Sequence, residues 1–120
     1  MTVSSFDMKY LESVSQGNIA FIVDMLQIFI SRTPETFNLL RDAIAEEDWQ
    51  TVGFYAHKLK ATYAYVGLEE LKQTIIEIEQ KAKNLRDTHT IAELFDYLEN
   101  MTQPEIKAIT SYKLELEKTI

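Results

Sequence analysis

The chain holds two histidines and no cysteine, so covalent chemistry near neutral pH that needs no strong activation comes down to His57 and His89. A neutral imidazole has an unperturbed pKa of about 6.5, which leaves one ring nitrogen free to attack an electrophile at pH 7. The lack of cysteine removes thiol catalysis, thiolate metal sites and disulfides, and suits a reducing compartment. The Glu-x-x-His spacing of carboxylate-bridged metal bundles is missing, because Phe54 stands three residues before His57 and Arg86 three before His89. No two of the three glycines lie close enough for a phosphate-cradling loop, so a nucleotide site is not expected. His89, between Thr88 and Thr90 in a polar stretch, reads as a solvent-exposed loop residue. His57 is the candidate for chemistry.

The stretch from Trp49 to Gly67 reads as the helix that must aim it. At about 100° per residue, Val52, Tyr55, Leu59, Tyr63 and Val66 fall opposite His57 and form the expected buried stripe. The histidine's own side carries Gln50, Gly53, Phe54, Lys60, Ala61 and Ala64, with no carboxylate among them. A solvated helix face ordinarily carries Glu, Lys and Gln. Small residues one and two turns from the imidazole therefore point to a docking surface, with Gln50, Gly53, Phe54, Ala61, Ala64 and Tyr65 as its candidate residues. The competing reading packs this face on the chain itself and makes His57 a buried, hydrogen-bonded core histidine. It is weakened by the full apolar face opposite, and by Lys58 and Lys60, which would then flank a buried seam.

His57-Lys58-Leu59-Lys60-Ala61-Thr62, followed by Gly67 ten residues after the histidine, resembles the motif of histidine-containing phosphotransfer (HPt) domains. That motif commonly reads His-x-Leu-Lys-Gly-Ser, with a glycine at the same offset. The match holds at His57, Leu59, Lys60 and Gly67 and approximately at Thr62; it departs at Ala61, usually Gly, and at Tyr65, commonly a small polar residue. Asp48-Trp49 and a Glu-rich downstream segment are also similar, so the resemblance covers residues 18 to 86 in character. It implies a phosphocarrier rather than an enzyme with its own ATP site: His57 takes a phosphoryl group from a receiver-domain aspartate and passes it to another receiver. The expected partners are receiver domains of a response regulator or a hybrid histidine kinase, which supply the divalent metal, and no cofactor is expected on this chain. Lys60 can balance charge on the phosphoryl group, with Lys58 beside it and Thr62 further round the helix. The lysine pair on an otherwise acidic protein would favour approach of an acidic receiver pocket. Dimerising sensor kinases also phosphorylate a helical histidine, but they usually place an acid directly after it, where this chain has Lys58. The alternative is a non-catalytic helical adaptor that binds through Gly53, Phe54, Ala61 and Ala64 and tolerates His57→Gln. A cofactor bundle using His57 and a methionine is weaker, because methionines at helical spacing usually belong to a core.

A length of 120 residues fits one domain, 1–120, with a single core and no need of staples. Twelve basic against nineteen acidic residues give a net charge of −7, which argues against a general nucleic-acid surface. No apolar run approaches the roughly 20 residues of a membrane span, and no basic segment followed by an apolar one opens the chain. A cytoplasmic monomer without a membrane or nucleic-acid partner is expected. Three Gly, two Pro and no alternating strand runs predict an all-α fold.

In chain order, Phe6, Tyr10, Leu11 and Val14 predict a short helix ended by Gly17. Asn18 can cap a segment from Ile19 to Ile30 whose apolar residues cover more than one face, which predicts burial on several sides. Thr33-Pro34 predicts either a kink or a break, and Thr102-Gln103-Pro104 a kink in the last helix. Asp48 can cap the histidine helix and Gly67 can end it. Leu68, Leu71, Ile75, Ile78 and Ala82 form a narrow stripe, with Glu79 among the charged residues flanking it. After a polar turn over 84–90, Ile91, Leu94, Phe95, Leu98 and Met101 begin a final helix. Short connections between long helices predict an antiparallel up-down four-helix bundle with a short N-terminal helix.

Overall fold

The computed structural model describes residues 6–120; residues 1–5 of the expected 1–120 domain lie outside the described residues. Helices α1 (Lys9–Ser15), α2 (Ile19–Ala45), α3 (Trp49–Tyr65), α4 (Glu69–Asn84) and α5 (Ile91–Glu117) follow one another, with a 3₁₀ turn at Thr88–Thr90 leading into α5. The described residues contain no strand. Among them no helix is long and apolar enough to cross a membrane.

Two of the long helices start where a side chain satisfies the first free backbone donors. Asn18 accepts a hydrogen bond from the Phe21 N–H at 3.1 Å, and Asp48 accepts from the Thr51 N–H at 3.2 Å and from its hydroxyl at 2.7 Å. At the other end of α3, Gly67 takes a left-handed conformation with φ +70°. A Cβ there would lie 2.5 Å from the Asp7 Cβ and 2.6 Å from the Asp7 carbonyl oxygen. Asp7 is itself fixed, since its N–H donates to the Val66 carbonyl at 2.8 Å. Gly67 therefore serves two demands at once, a helix stop and the close crossing of the N-terminal segment.

α2 buries Ile22, Leu26, Phe29, Thr33, Phe37, Leu40 and Ala43, three or four residues apart, so one face is continuous over the whole helix. α5 does the same with Ile91, Phe95, Leu98, Thr102, Glu105 and Ile109. Both helices continue through their prolines without interruption. Pro34 and Pro104 sit on exposed positions, where solvent can reach the carbonyl each proline leaves unpaired, and buried residues on both sides hold each helix in register. The break at Thr33-Pro34 allowed by local rules does not occur. Nor does the breadth of apolar residues in early α2 give burial on several sides, for Phe21 and Ile28 are exposed.

α3 packs on α2 and α4, and α5 packs on the same two helices, with α1 against α2. The Phe29 ring meets Tyr63 edge-on at 5.5 Å, and the Tyr63 hydroxyl shares a 2.7 Å hydrogen bond with that of Thr102. This contact ties α2, α3 and α5 together; burial raises the Tyr63 phenol, which stays neutral. Phe6 precedes α1 instead of belonging to it and meets Tyr112 of α5, while Tyr10 stacks on Tyr65 at the end of α3. Replacing Gly67 by Ala forces a Cβ into the Asp7 backbone and strains φ, so urea titration is expected to show a loss of at least ~1 kcal/mol. An unchanged midpoint would mean that the crossing is loose.

Candidate functional site

The buried face of α3 contains the expected Val52, Leu59, Tyr63 and Val66, while Tyr55 is half-buried. Gly53 and Ala56 are buried as well, which turns the face further toward α4. Gly53 is a correction to the sequence reading: it is not open docking surface. A Cβ at Gly53 would meet the Lys83 Cγ at 3.7 Å and the Ala82 Cβ at 3.9 Å, ordinary van der Waals contacts, so α4 covers this position and leaves room for no more than a small side chain. Gln50, Phe54 and Ala61 are exposed, Ala64 is half-buried, and Tyr65 is covered on one side by Tyr10. The His57 side chain is 65% exposed, which excludes the core-histidine reading.

On α4 the stripe that packs inward is Leu71, Ile75, Ile78, Ala82 and, among them, Glu79. The sequence reading placed Glu79 on the flank; it is 4% exposed in the side chain. A buried carboxylate must be met by donors or lose its charge. Glu79 Oε2 lies 2.8 Å from His57 Nδ1 and 3.2 Å from Lys83 Nζ, and Oε1 accepts from Lys60 Nζ at 2.8 Å. Burial pushes this carboxyl up, but the hydrogen bonds from Lys60, His57 and Lys83 together outweigh it and hold the group down to about 2.

An ionised carboxylate can only accept, so Nδ1 of His57 must carry the proton in this contact. The tautomer that results leaves the lone pair on Nε2 of an exposed ring. A second effect is positional: the hydrogen bond pins the imidazole to α4, as an outer carboxylate pins a ligating histidine.

Lys60 is half-buried and tied to Glu79. Lys58 is exposed, its Nζ 4.7 Å from the Phe54 ring centroid, a cation–π contact within one helix turn. Thr62 is not brought to the imidazole. Its hydroxyl donates to the Lys58 carbonyl at 3.1 Å, and it borders Met25 and Ile28 of α2, because five residues along a helix carry it well away from His57. His89 is exposed in the 3₁₀ turn.

Between Trp49, Phe54 and His57 of α3 and Ala82, Lys83 and Leu85 at the end of α4 lies an open cleft of about 570 Å³. Sequence reasoning missed Glu79, Lys83 and Leu85. The first two had a signal: Glu79 lies four residues after Ile75 and three before Ala82, inside the apolar stripe, and Lys83 follows one turn later. Leu85 had none, since it falls in the polar turn.

The fold and this cluster define a helical bundle built to present one imidazole. Over residues 24–108, from α2 to α5, the chain matches the family model described as Hpt domain, and it belongs to that family. Hpt domains carry out histidine phosphotransfer in two-component phosphorelays and interact with receiver domains of response regulators or kinases. No curated protein and no solved structure matches the chain.

The cluster sets a pH dependence. A carboxyl at about 2 in the fold and 4.5 when unfolded stabilises the protein fully above pH 4.5, and this contribution is lost as the pH falls from 4.5 to 2. Urea midpoints measured across that window should fall less steeply for Glu79→Gln than for the wild type. At pH 7 the substitution should lower stability by roughly 1–3 kcal/mol, the range for hydrogen bonds to charged groups. Parallel pH curves would show that the carboxylate is not held by its three partners.

Proposed function

We propose that His57 is the phosphoacceptor of a phosphorelay intermediate, which takes its phosphoryl group from one receiver domain and gives it to another. The observation that carries this reading is the 2.8 Å contact between Nδ1 of an exposed imidazole and a buried, ionised carboxylate. In the forward step the Nε2 lone pair attacks the phosphorus of the receiver's aspartyl phosphate. The bond from phosphorus to the aspartate oxygen breaks, and its electron pair stays on the aspartate carboxylate. The Nδ1 proton remains in place, so the ring gains positive charge, and Glu79 stabilises that charge at hydrogen-bond distance. The reverse step on a second receiver returns the ring to neutrality.

Lys60 and Lys83 lean on the same carboxylate and can share their charge with the phosphoryl group; Lys58 faces outward, where it favours an acidic receiver pocket. Thr62 has no part in the step, its hydroxyl being turned to its own backbone. Gln50, Phe54, Ala61, Ala64 and Tyr65 are the residues a docked receiver would cross, with Gly53 as the floor beneath them. The receiver brings the divalent metal, and this chain uses no ATP. In this reading residues 1–120 act as one domain, a monomeric antiparallel up-down bundle.

Incubation with phosphorylated receiver domains tests the proposal. Wild type and His89→Gln should take up label and His57→Gln should not, although weakening the hydrogen bond to the buried Glu79 carboxylate should lower its stability by roughly 1–3 kcal/mol while leaving it folded. The label should be acid-labile and stable to alkali, as for a phosphoramidate, and ATP with magnesium should give none. Label persisting in His57→Gln would move the acceptor elsewhere. Ala61 is exposed one turn from the histidine. Ala61→Arg keeps helix propensity but places a long charged chain in the receiver's path, so transfer should fail while the melting curve stays nearly unchanged. Transfer at the wild-type rate would put the docking face on another side of α3.

A further inference from the structure

Leu85 ends α4 in the left-handed conformation, with φ 52° and ψ 42°. Glycine or asparagine normally fills such a position, because a larger side chain crowds the following backbone there. The helix stop itself needs only the backbone: the Leu85 N–H caps the Lys81 carbonyl, and the Arg86 N–H reaches the same oxygen at 3.2 Å. Glycine would make this cap with less strain. The leucine is not explained by the core either, since it is 68% exposed. Its side chain instead forms a wall of the cleft that also holds Trp49, Phe54 and His57.

No carboxylate is among the residues that line that cleft. Lys83 lines it, Lys58 lies over the Phe54 ring and Lys60 reaches the same buried carboxylate as Lys83, on a chain whose net charge is −7. Glu79, the carboxylate beneath them, is already met by these lysines. An apolar slot with a cationic rim fits a partner that offers apolar side chains flanked by carboxylates. The imidazole opens into the same slot, so the occupant must be the molecule that exchanges a phosphoryl group with it.

We propose that Leu85 is a docking anchor for the receiver domain, held out in a strained helix cap so that an apolar side chain of the receiver seats between Leu85, Trp49 and Phe54 while receiver carboxylates face Lys58 and Lys83. This inference rests on the reading of the chain as a phosphocarrier. It makes Leu85 a determinant of receiver affinity, not of the chemical step.

The test compares wild type, Leu85→Gly and Leu85→Asn as full chains, by thermal unfolding, by affinity for each of a panel of receiver domains, and by transfer rate at saturating receiver. Both substitutions suit the left-handed conformation, so unfolding midpoints should be unchanged or higher. Receiver affinity should fall about tenfold, as for truncation of an interface anchor, while transfer at saturation stays within about twofold of wild type. Unchanged affinity in both variants, with wild type transferring normally, would overturn the anchor and leave the phosphocarrier reading standing. Lower midpoints in both would also overturn it, since Leu85 would then be packing on its own fold. Receivers that bind wild type but bind both Leu85 variants about tenfold more weakly, and never label wild type, would support the anchor and overturn the phosphate chemistry. A wild type that neither binds nor takes label from any receiver would overturn both.

Discussion

A carboxylate buried between two helices stays charged only if donors reach it from both, and Glu79 imposes that condition on α3 and α4. Its oxygens are met by His57 and Lys60 from one helix and Lys83 from the other, all within 3.2 Å. Such distances require the two helices to lie close. Gly53, Ala56 and Ala82, all buried, are small residues that suit such an approach. Packing and electrostatics thus pull in the same direction: widening the gap would strand the charge, and losing the charge would remove the reason for the narrow gap. The turn between the helices adds a further restraint, since Gly67 is pressed against Asp7 of the N-terminal segment.

The same carboxylate sets the chemistry. Because it is held ionised, it fixes the proton on Nδ1 and leaves the lone pair on Nε2, a choice that a neutral partner such as an amide could not dictate from one side. The charge count around it also matters. Two ammonium groups against one carboxylate leave one excess positive charge beside the imidazole, so an anion reaching the ring meets local attraction instead of the repulsion expected from the chain's overall −7. Lys60, only partly exposed, is screened less by solvent than a free surface lysine and contributes more of that attraction per charge.

What could be read from the sequence followed local rules that tertiary packing left in force. Asn18, Asp48 and Gly67 act where short-range geometry decides, and each does what its type predicts. The exposure of His57 was legible because a complete apolar face stands opposite. The failures share a cause, which is that the deciding partner lies on another helix. Glu79 was assigned to a flank because a charged residue within an apolar stripe makes sense only once His57 and Lys60 are brought to it. Gly53 looked like docking surface until Ala82 and Lys83 of α4 were placed over it. Pro34 allows a kink or a break by local rules and Pro104 a kink, but each lies on the solvent side of a helix whose other face is buried for its full length, and burial on both sides of Pro34 keeps α2 in one piece.

Stability and site are consequently carried by different parts of the bundle. The 27-residue helices α2 and α5 bury continuous stripes and close on Tyr63 through Phe29 and Thr102, none of which touches the cleft. α3 belongs to both regions: one face enters that core through Val52, Leu59 and Tyr63, while the other offers Phe54 and His57 to solvent. α4 has the same division, with Leu71 and Ile75 inside and Lys83 and Leu85 at the cleft. Exposed Phe54 and Leu85 add nothing to a core they do not enter. Glu79 joins the two regions. It is as buried as the core residues around it, yet every partner it has lies at the site. Through it, the rigidity of the packed helices becomes the fixed orientation of an exposed imidazole.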